Sequence, residues 1–203
     1  MKNNPVILAQ DPSFAKLSFS LYDGKKTIYL DSCSFSLGES VGFERVFEGS
    51  LQIFNDYKDK LYGLGINRNI FIDYIISEIP PPNSMYSAGL FALDMHLLYR
   101  LYEMNGLCKT IYTLPPSFLV TLHNRQKYKK SDSTRMAKYF MDEIFGDQFE
   151  YQFTGRLNAD QAESFLFLIK AFYILDINGL REEITSAITG FYSPVEKVLV
   201  ERG

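Results

Sequence analysis

Four acidic residues stand where apolar segments of the sequence begin or end. Asp11 follows a short apolar run, and Glu78 follows a longer β-rich run. Asp160 and Glu163 are three residues apart at the start of an amphipathic segment, so both project from one face of a predicted helix. If the strands that lead to Asp11 and Glu78 are neighbours, the four carboxylates meet at one edge of a sheet.

Such an acidic pocket is too repulsive to persist without cations. Two divalent ions roughly 4 Å apart would neutralise it and act on a phosphodiester, one helping to deprotonate water and the other stabilising the leaving 3′ oxygen. Carboxylate and water ligands suit Mg²⁺ or Mn²⁺, and the lack of clustered His or Cys in the sequence argues against zinc. We therefore expect two Mg²⁺ or Mn²⁺ ions per site.

Each acid also has an ordinary structural interpretation. Asp11 opens an Asp-Pro-Ser segment, which is typical of turns. Asp160 and Glu163 place negative charge near a helix N-terminus, where it is favourable. Glu78 precedes a proline-rich loop and is an ordinary strand-edge residue by itself. The prediction of a metal site depends on the four acids taken jointly.

A basic segment lies at residues 123–138 of a chain whose formal net charge is −3. Against one acid, Asp132, it carries six Lys and Arg residues: Arg125, Lys127, Lys129, Lys130, Arg135 and Lys138. By itself such a segment indicates a solvated loop. Beside a phosphodiesterase site it predicts a DNA-binding surface whose affinity falls steeply with salt.

The segments that position these residues predict three strands followed by alternating helices and strands. The predicted strands are 6–9, 17–22, 27–31, 69–76 and 109–113, with a hairpin at Asp23-Gly24, and the predicted helices are 42–62, 88–105, 133–145 and 159–175. This order favours an α/β fold, a mixed sheet with helices on its faces, similar to the ribonuclease H-like arrangement. We expect residues 1–175 to form the domain and 176–203 a helical extension of it.

Composition excludes several other classes. The 203 residues are 46% apolar and 22% charged, which suits one domain with a real core and argues against disorder. Cys33 and Cys108 form no redox or zinc motif, and no dinucleotide, Walker, metalloprotease or serine-hydrolase motif occurs. No run is long and apolar enough for a signal peptide or a membrane span, so we expect a cytoplasmic protein with no membrane partner.

Six segments, in order and with similar spacing, resemble the motifs of the RuvC-type Holliday junction resolvases, which have a ribonuclease H-like fold. The segments are 6–13 (VILAQDPS), 75–78 (IISE), the helix 88–105, 112–117 (YTLPPS), 129–133 (KKSDS) and 158–164 (NADQAES). The resemblance covers residues 6 to about 172. It implies a metal-dependent endonuclease that resolves four-way DNA junctions by paired phosphodiester hydrolysis.

The resemblance also implies roles for individual residues. The implied metal ligands and catalytic acids are Asp11, Glu78, Asp160 and Glu163. Lys130, or its neighbour Lys129, would approach the scissile phosphate. Tyr86, with Met85 as an equal candidate, would contact the centre of the branched DNA.

The predicted helix 88–105 is apolar over a wider face than one core contact requires, which a helix buried on both sides would also explain. The resemblance implies a homodimer through this helix, which suits a nearly two-fold junction. If the chain is phage-encoded, its setting would be the host cytoplasm.

Three features depart from the family pattern. Residues 14–17 (FAKL) replace small residues, Glu163 stands where Asp is usual, and the tail beyond residue 175 has no counterpart. Three alternatives stay open: a ribonuclease H-like nuclease for flaps, branched DNA or RNA–DNA hybrids, a non-catalytic protein that binds branched DNA, and a scaffold with fortuitous acids, which would bind neither Mg²⁺ nor DNA at low salt. The complete carboxylate set favours an enzyme, since a binder gains nothing from acids beside phosphates.

Overall fold

The computed structural model of the chain describes residues 4–13, 15–34, 43–66, 71–78, 87–106, 108–113, 130–153 and 155–192. Within these ranges only the backbone is described at 43–47, 78, 87–91, 112–113, 130–131, 190 and 192. In this part of the chain no helix is both long and apolar enough to cross a lipid bilayer.

Six strands form one mixed sheet in the order β5-β4-β1-β2-β3-β6. They are β1 (Ile7–Pro12), β2 (Lys16–Tyr22), β3 (Thr27–Ser34), β4 (Tyr74–Glu78), β5 (Lys109–Thr113) and β6 (Glu150–Phe153). The first three strands are antiparallel, whereas β4 runs parallel to β1 and β5, and β6 runs parallel to β3. This is the mixed sheet that the sequence predicts.

The predicted hairpin between β2 and β3 is present. Asp23 Oδ1 accepts hydrogen bonds from the backbone N–H groups of Lys25, Lys26 and Thr27 at 2.9, 2.9 and 3.0 Å. Gly24 has φ +75°, and a Cβ there would meet the Asn4 carbonyl oxygen at 2.6 Å. The turn therefore requires glycine both for its left-handed backbone and for the close approach of the N-terminal segment.

Five α-helices flank the sheet in the described residues. They are α1 (Phe43–Gly63), α2 (Ser87–Asn105), α3 (Lys130–Tyr139), α4 (Ala159–Leu175) and α5 (Arg181–Tyr192). Helix α3 continues into a π-helical turn over Phe140–Phe145. The predicted helix 133–145 was thus wrong in both its start and its winding: the five-residue spacing lets Phe140 and Phe145 both enter the core, with ring centroids 5.5 Å apart.

Alternating strand residues divide the core into two layers. On one face Leu8, Phe19 and Ile75 pack against α1 and α2, with Tyr57 and Leu101 at the centre of the contact. The period of two in β1 and β2 produces this division, because every second side chain lies on the same face.

The other face packs against α3, α4 and α5. Ala9 and Ile76 belong to this second layer together with Phe165 of α4 and Ile184 of α5. Most of α4 is buried on all sides, which explains why its sequence is apolar beyond a single stripe. Helix α5 lies in the predicted extension and packs on the same core as the rest of the domain.

Two strand predictions are corrected. The predicted strand 69–76 is β4 at 74–78, because Asp73 Oδ2 accepts from the Val6 backbone N–H at 2.8 Å and fixes where pairing begins. Asp11 does not follow the first strand but lies within it, since Pro12 still pairs with Leu17. Strand β6 escaped prediction because it is four residues long and mostly exposed.

Candidate metal centre

Strand β1 carries Asp11 toward the layer of helix α4. Ile7 and Ala9 belong to the core on that side, Leu8 belongs to the opposite core, and Asp11 continues the alternation of Ile7 and Ala9. Its register partner on β2 is Ser18. Asp11 is half-buried, so its carboxylate lies at the border between the core and solvent.

A capping box fixes the start of helix α4. Asn158 Oδ1 accepts from the backbone N–H groups of Asp160 and Gln161 at 3.1 and 2.9 Å, and Gln161 Oε1 accepts from the Asn158 N–H at 3.1 Å. Asp160 therefore lies in the first helical turn, where the helix dipole favours negative charge. Glu163 follows three residues later on the same face.

These two elements bring Asp11, Asp160 and Glu163 together. One carboxylate oxygen from each lies within 4.8 Å of the other two, and all three residues are half-buried. Three carboxylates at this separation repel one another unless positive charge is supplied. Their donor atoms are all oxygen, as Mg²⁺ and Mn²⁺ prefer, and no His or Cys belongs to the group.

In the described part of the chain, Lys16 and Ser133 contact this carboxylate cluster. Lys16 Nζ lies 2.7 Å from Asp160 Oδ2, and each side chain is 30% exposed. Ser133 of α3 donates to Glu163 Oε1 at 3.1 Å. Lys16 was not among the predicted site residues, because its place beside Asp160 depends on the pairing of β1 with β2.

Two further serines line the same side of β2. Ser18, directly opposite Asp11, is fully buried, and its hydroxyl has no hydrogen-bond partner among the described residues. Ser20 lies 2.9 Å from the hydroxyl of Ser164 on α4, so small residues allow the helix to approach the sheet closely. A buried hydroxyl without a partner in the described residues, at the register position opposite Asp11, fits an oxygen-rich cation site.

Glu78 ends β4 at the same sheet edge as Asp11. In the parallel pairing of β1 with β4, Gln10 is opposite Ser77, and Asp11 and Glu78 are the next residues of their strands. The predicted neighbourhood of these two strands is present at the level of the backbone. The Glu78 side chain is outside the described part of the structure.

A buried polar network lies on the opposite face of this edge. Asp94 of α2 is fully buried, and its Oδ1 accepts from Ser77 Oγ at 2.7 Å and from Gln10 Nε2 at 2.9 Å. The Tyr57 hydroxyl donates to Gln10 Oε1 at 3.3 Å. Burial raises the pKa of Asp94, although its hydrogen bonds to Ser77 and Gln10 oppose this. The sequence signal for this network is a lone Asp inside an apolar helix.

The structure describes part of the predicted DNA-binding set. Lys130 is the first residue of α3, one turn before Ser133, so its backbone lies near the cluster. Arg135 and Lys138 are exposed on α3, and the Arg135 guanidinium lies 4.6 Å from the ring centroid of Phe191. Four predicted residues lie outside the described ranges: Tyr86, Arg125, Lys127 and Lys129.

No protein-family model and no curated protein matches the sequence. Among solved structures, Thermus thermophilus RuvC in complex with a Holliday junction substrate superposes with a TM-score of 0.50 at 12% identity, covering 84% of this chain and 95% of that one. The chain has the RuvC-type resolvase fold. A second T. thermophilus RuvC structure gives a TM-score of 0.46 at 14% identity over 83% of this chain and 94% of that one. The yeast mitochondrial Holliday junction resolvase Ydc2 gives a TM-score of 0.46 at 14% identity, covering 93% of this chain and 82% of that one.

Within the RuvC-type fold, the carboxylate cluster joins the first strand of the sheet to the N-terminus of α4. The two elements are distant in sequence and meet because α4 packs across β1 and β2. The cluster is therefore a product of the fold and not of a local sequence motif.

Proposed function

We propose that this chain is a metal-dependent endonuclease that resolves four-way DNA junctions by paired phosphodiester hydrolysis. The observation that carries the proposal is the convergence of Asp11, Asp160 and Glu163 within 4.8 Å on a RuvC-type fold. A solved neighbour with this fold is bound to a Holliday junction substrate.

The metal would be held by Asp11, Asp160 and Glu163, with Glu78 completing the set from the adjacent strand. Two Mg²⁺ or Mn²⁺ ions, when bound, would lower the pKa of the attacking water and neutralise charge at the leaving 3′ oxygen. The chain's own contribution is orientation: the sheet fixes Asp11 and the capping box fixes Asp160. Lys130, at the start of α3, would contact the scissile phosphate.

The predicted DNA surface extends from this site along α3. Arg135 and Lys138 would contact phosphates from the exposed side of the helix, with the four basic and aromatic residues named above continuing the surface. Such contacts position the duplex without selecting its sequence. Structure selectivity would then come from the shape of the junction rather than from base contacts.

Helix α2 supports the proposed homodimer. Leu97, Leu98 and Leu101 face the core, whereas Met95 and Tyr99 are 46% and 59% exposed. These two exposed side chains, four residues apart on the outer side of the helix, would contact the second copy. Two copies related by a two-fold axis would present two sites to the two strands that must be cut.

Cleavage of a labelled synthetic four-way junction tests the proposal. The junction is incubated with Mg²⁺ or Mn²⁺ beside linear duplex, flap and RNA–DNA hybrid substrates. We expect symmetric nicks in the junction alone with the wild type, and none with Asp11→Asn. Asp59→Asn is the matched control, because Asp59 is exposed on α1, on the other side of the sheet.

The other outcomes separate the alternatives. Cutting of flaps or hybrids instead of junctions would retain the metal site and overturn the substrate. Tight junction binding without cleavage in either metal would indicate a binding protein. If Asp59→Asn also lost activity, the loss in Asp11→Asn would reflect general damage to the protein and not removal of a metal ligand.

A further inference from the structure

The carboxylate cluster already holds one positive charge of the chain's own. We infer that Lys16 competes with divalent cations for Asp160 and thereby sets the metal concentration at which the site loads. This inference rests on the proposed function, since it assumes that the cluster binds metal. It assigns Lys16, one of the residues that departs from the family pattern, a role in tuning metal affinity.

The position of Lys16 is fixed by its backbone. The backbone N–H and the hydroxyl of Ser13 both donate to the Lys16 carbonyl, at 2.7 and 2.8 Å. Lys16 also pairs with Ser34 of β3 on its other side. Its ammonium therefore extends from an anchored strand end, and the 2.7 Å contact with Asp160 costs less conformational entropy than a contact from a loop, because the backbone is already ordered.

The contact engages a carboxylate that a metal would use. Lys16 donates to Oδ2 of Asp160, one of the three carboxylates of the cluster. A divalent ion bound to the same carboxylate would lie close to the ammonium, and two like charges a few ångströms apart repel strongly in a half-buried site. Binding of metal must therefore displace the ammonium or tolerate it as a neighbour, and both reduce affinity.

The composition of the cluster suits a divalent cation in addition to Lys16. Its three carboxylates supply only oxygen donors. The buried Ser18 hydroxyl, at the register position opposite Asp11, has no hydrogen-bond partner in the described residues and adds an oxygen on the same face of the sheet.

The chain offers a closely matched control. Lys60 Nζ lies 3.1 Å from Asp31 Oδ2, and these side chains are 29% and 28% exposed, almost as in the Lys16–Asp160 pair. Lys60 belongs to α1, on the opposite face of the sheet. Lys60→Met therefore removes the same charge from an equally buried ion pair without touching the cluster.

Titration calorimetry of Mn²⁺ into the DNA-free full-length protein tests the inference. We expect Lys16→Met to bind Mn²⁺ roughly five- to tenfold more tightly than the wild type, because both competition and repulsion are removed. Lys16→Arg, which keeps the charge, and Lys60→Met should stay within about twofold of the wild type. Thermal stabilisation by Mn²⁺, measured in parallel, should shift to lower metal concentration in Lys16→Met and in Lys16→Gln.

An affinity of Lys16→Met that equals or falls below that of Lys60→Met would overturn the inference while leaving the proposed function intact. If the wild type bound no more Mn²⁺ than Asp11→Asn does, the proposed function itself would be overturned. If the circular dichroism spectrum shows that Lys16→Met does not fold, the Mn²⁺ affinity of Lys16→Gln is compared with that of Lys60→Met instead. Equal affinities of Lys16→Gln and the wild type would count against the inference.

Discussion

Ser77 donates a hydrogen bond to Asp94 at 2.7 Å, and Ser77 is the residue immediately before Glu78. The same Asp94 oxygen accepts from Gln10, the residue immediately before Asp11, at 2.9 Å. One buried carboxylate of α2 thus holds both strands that carry predicted metal ligands. It acts from the face of the sheet opposite the carboxylate cluster and fixes the two strands in register next to the site.

Asp94→Ala should lower the free energy of unfolding by about 2–4 kcal/mol, because it leaves the buried Ser77 hydroxyl without its acceptor and leaves Gln10 Nε2 with only the Ser77 hydroxyl, at 3.4 Å. Asp94→Asn keeps an oxygen in the same place and should stay within about 1 kcal/mol of the wild type. Urea denaturation at pH 7 measures both. Equal losses in the two variants would show that the network does not depend on that oxygen.

The difference in unfolding free energy between Asp94→Asn and the wild type should depend on pH. Burial raises the pKa of Asp94 above its unfolded value, so between the two values the folded chain binds more protons than the unfolded chain. The stability of the wild type therefore falls as the pH rises through this window, and Asp94→Asn lacks this loss. We expect the unfolding free energy of Asp94→Asn, relative to the wild type, to increase from pH 4 to pH 7. A constant difference would contradict the raised pKa.

Asn158→Ala should cost about 1 kcal/mol of stability, because it removes the cap of α4. It should also weaken Mn²⁺ binding, since the cap orients the turn that carries Asp160. Asn158→Asp keeps a capping oxygen and should preserve both properties. Thermal melts with and without Mn²⁺ provide the measurement, and unchanged metal binding in Asn158→Ala would separate the cap from the site.

Lys138→Ala should weaken binding of four-way junctions and reduce the salt dependence of that binding. Neutralising one phosphate contact changes the slope of log K against log salt by about 0.9. Fluorescence anisotropy measures the binding. The Asp11→Asn background is used so that the junction is not cleaved during the titration. Lys25→Ala, an exposed lysine in the β2–β3 turn, is the control and should leave the slope unchanged.

Lys170 of α4 should make the free energy of unfolding depend on pH in the alkaline range. It is 7% exposed, and burial lowers its pKa to about 8 from 10.5. The unfolded chain binds more protons between these values, so the free energy of unfolding rises with pH across pH 8 to 10.5. Lys170→Met should be more stable at pH 8, by up to about 3 kcal/mol, and this advantage should shrink at pH 9.5. The exposed Lys25→Met should show no such trend.

Much of the candidate site follows from local sequence patterns. Asp160 and Glu163 share a helix face because they are three residues apart, and Asn158 marks where that helix begins. The alternation through Ala9 places Asp11 with the α4 layer. These patterns are set by the geometry of one helix and one strand, which a sequence expresses directly.

Other parts depend on pairing between distant segments. Lys16 reaches Asp160 only because β2 folds back on β1 in one register, and Asp94 meets Ser77 only because α2 crosses the sheet at that point. Strand β6 has too few buried residues to show a period of two, and its place beside β3 comes from tertiary packing. Positions of this kind are fixed by the whole fold.

The distance along the chain between Asp11 and helix α4 has a consequence for biosynthesis. A nascent polypeptide that has emerged as far as β5 contains Asp11 and Glu78 but neither Asp160 nor Glu163. Because α4 also supplies the central apolar helix of one core layer, the layer and the carboxylate cluster form together. The carboxylate cluster, and with it the proposed metal site, is therefore completed only after helix α4 has left the ribosome.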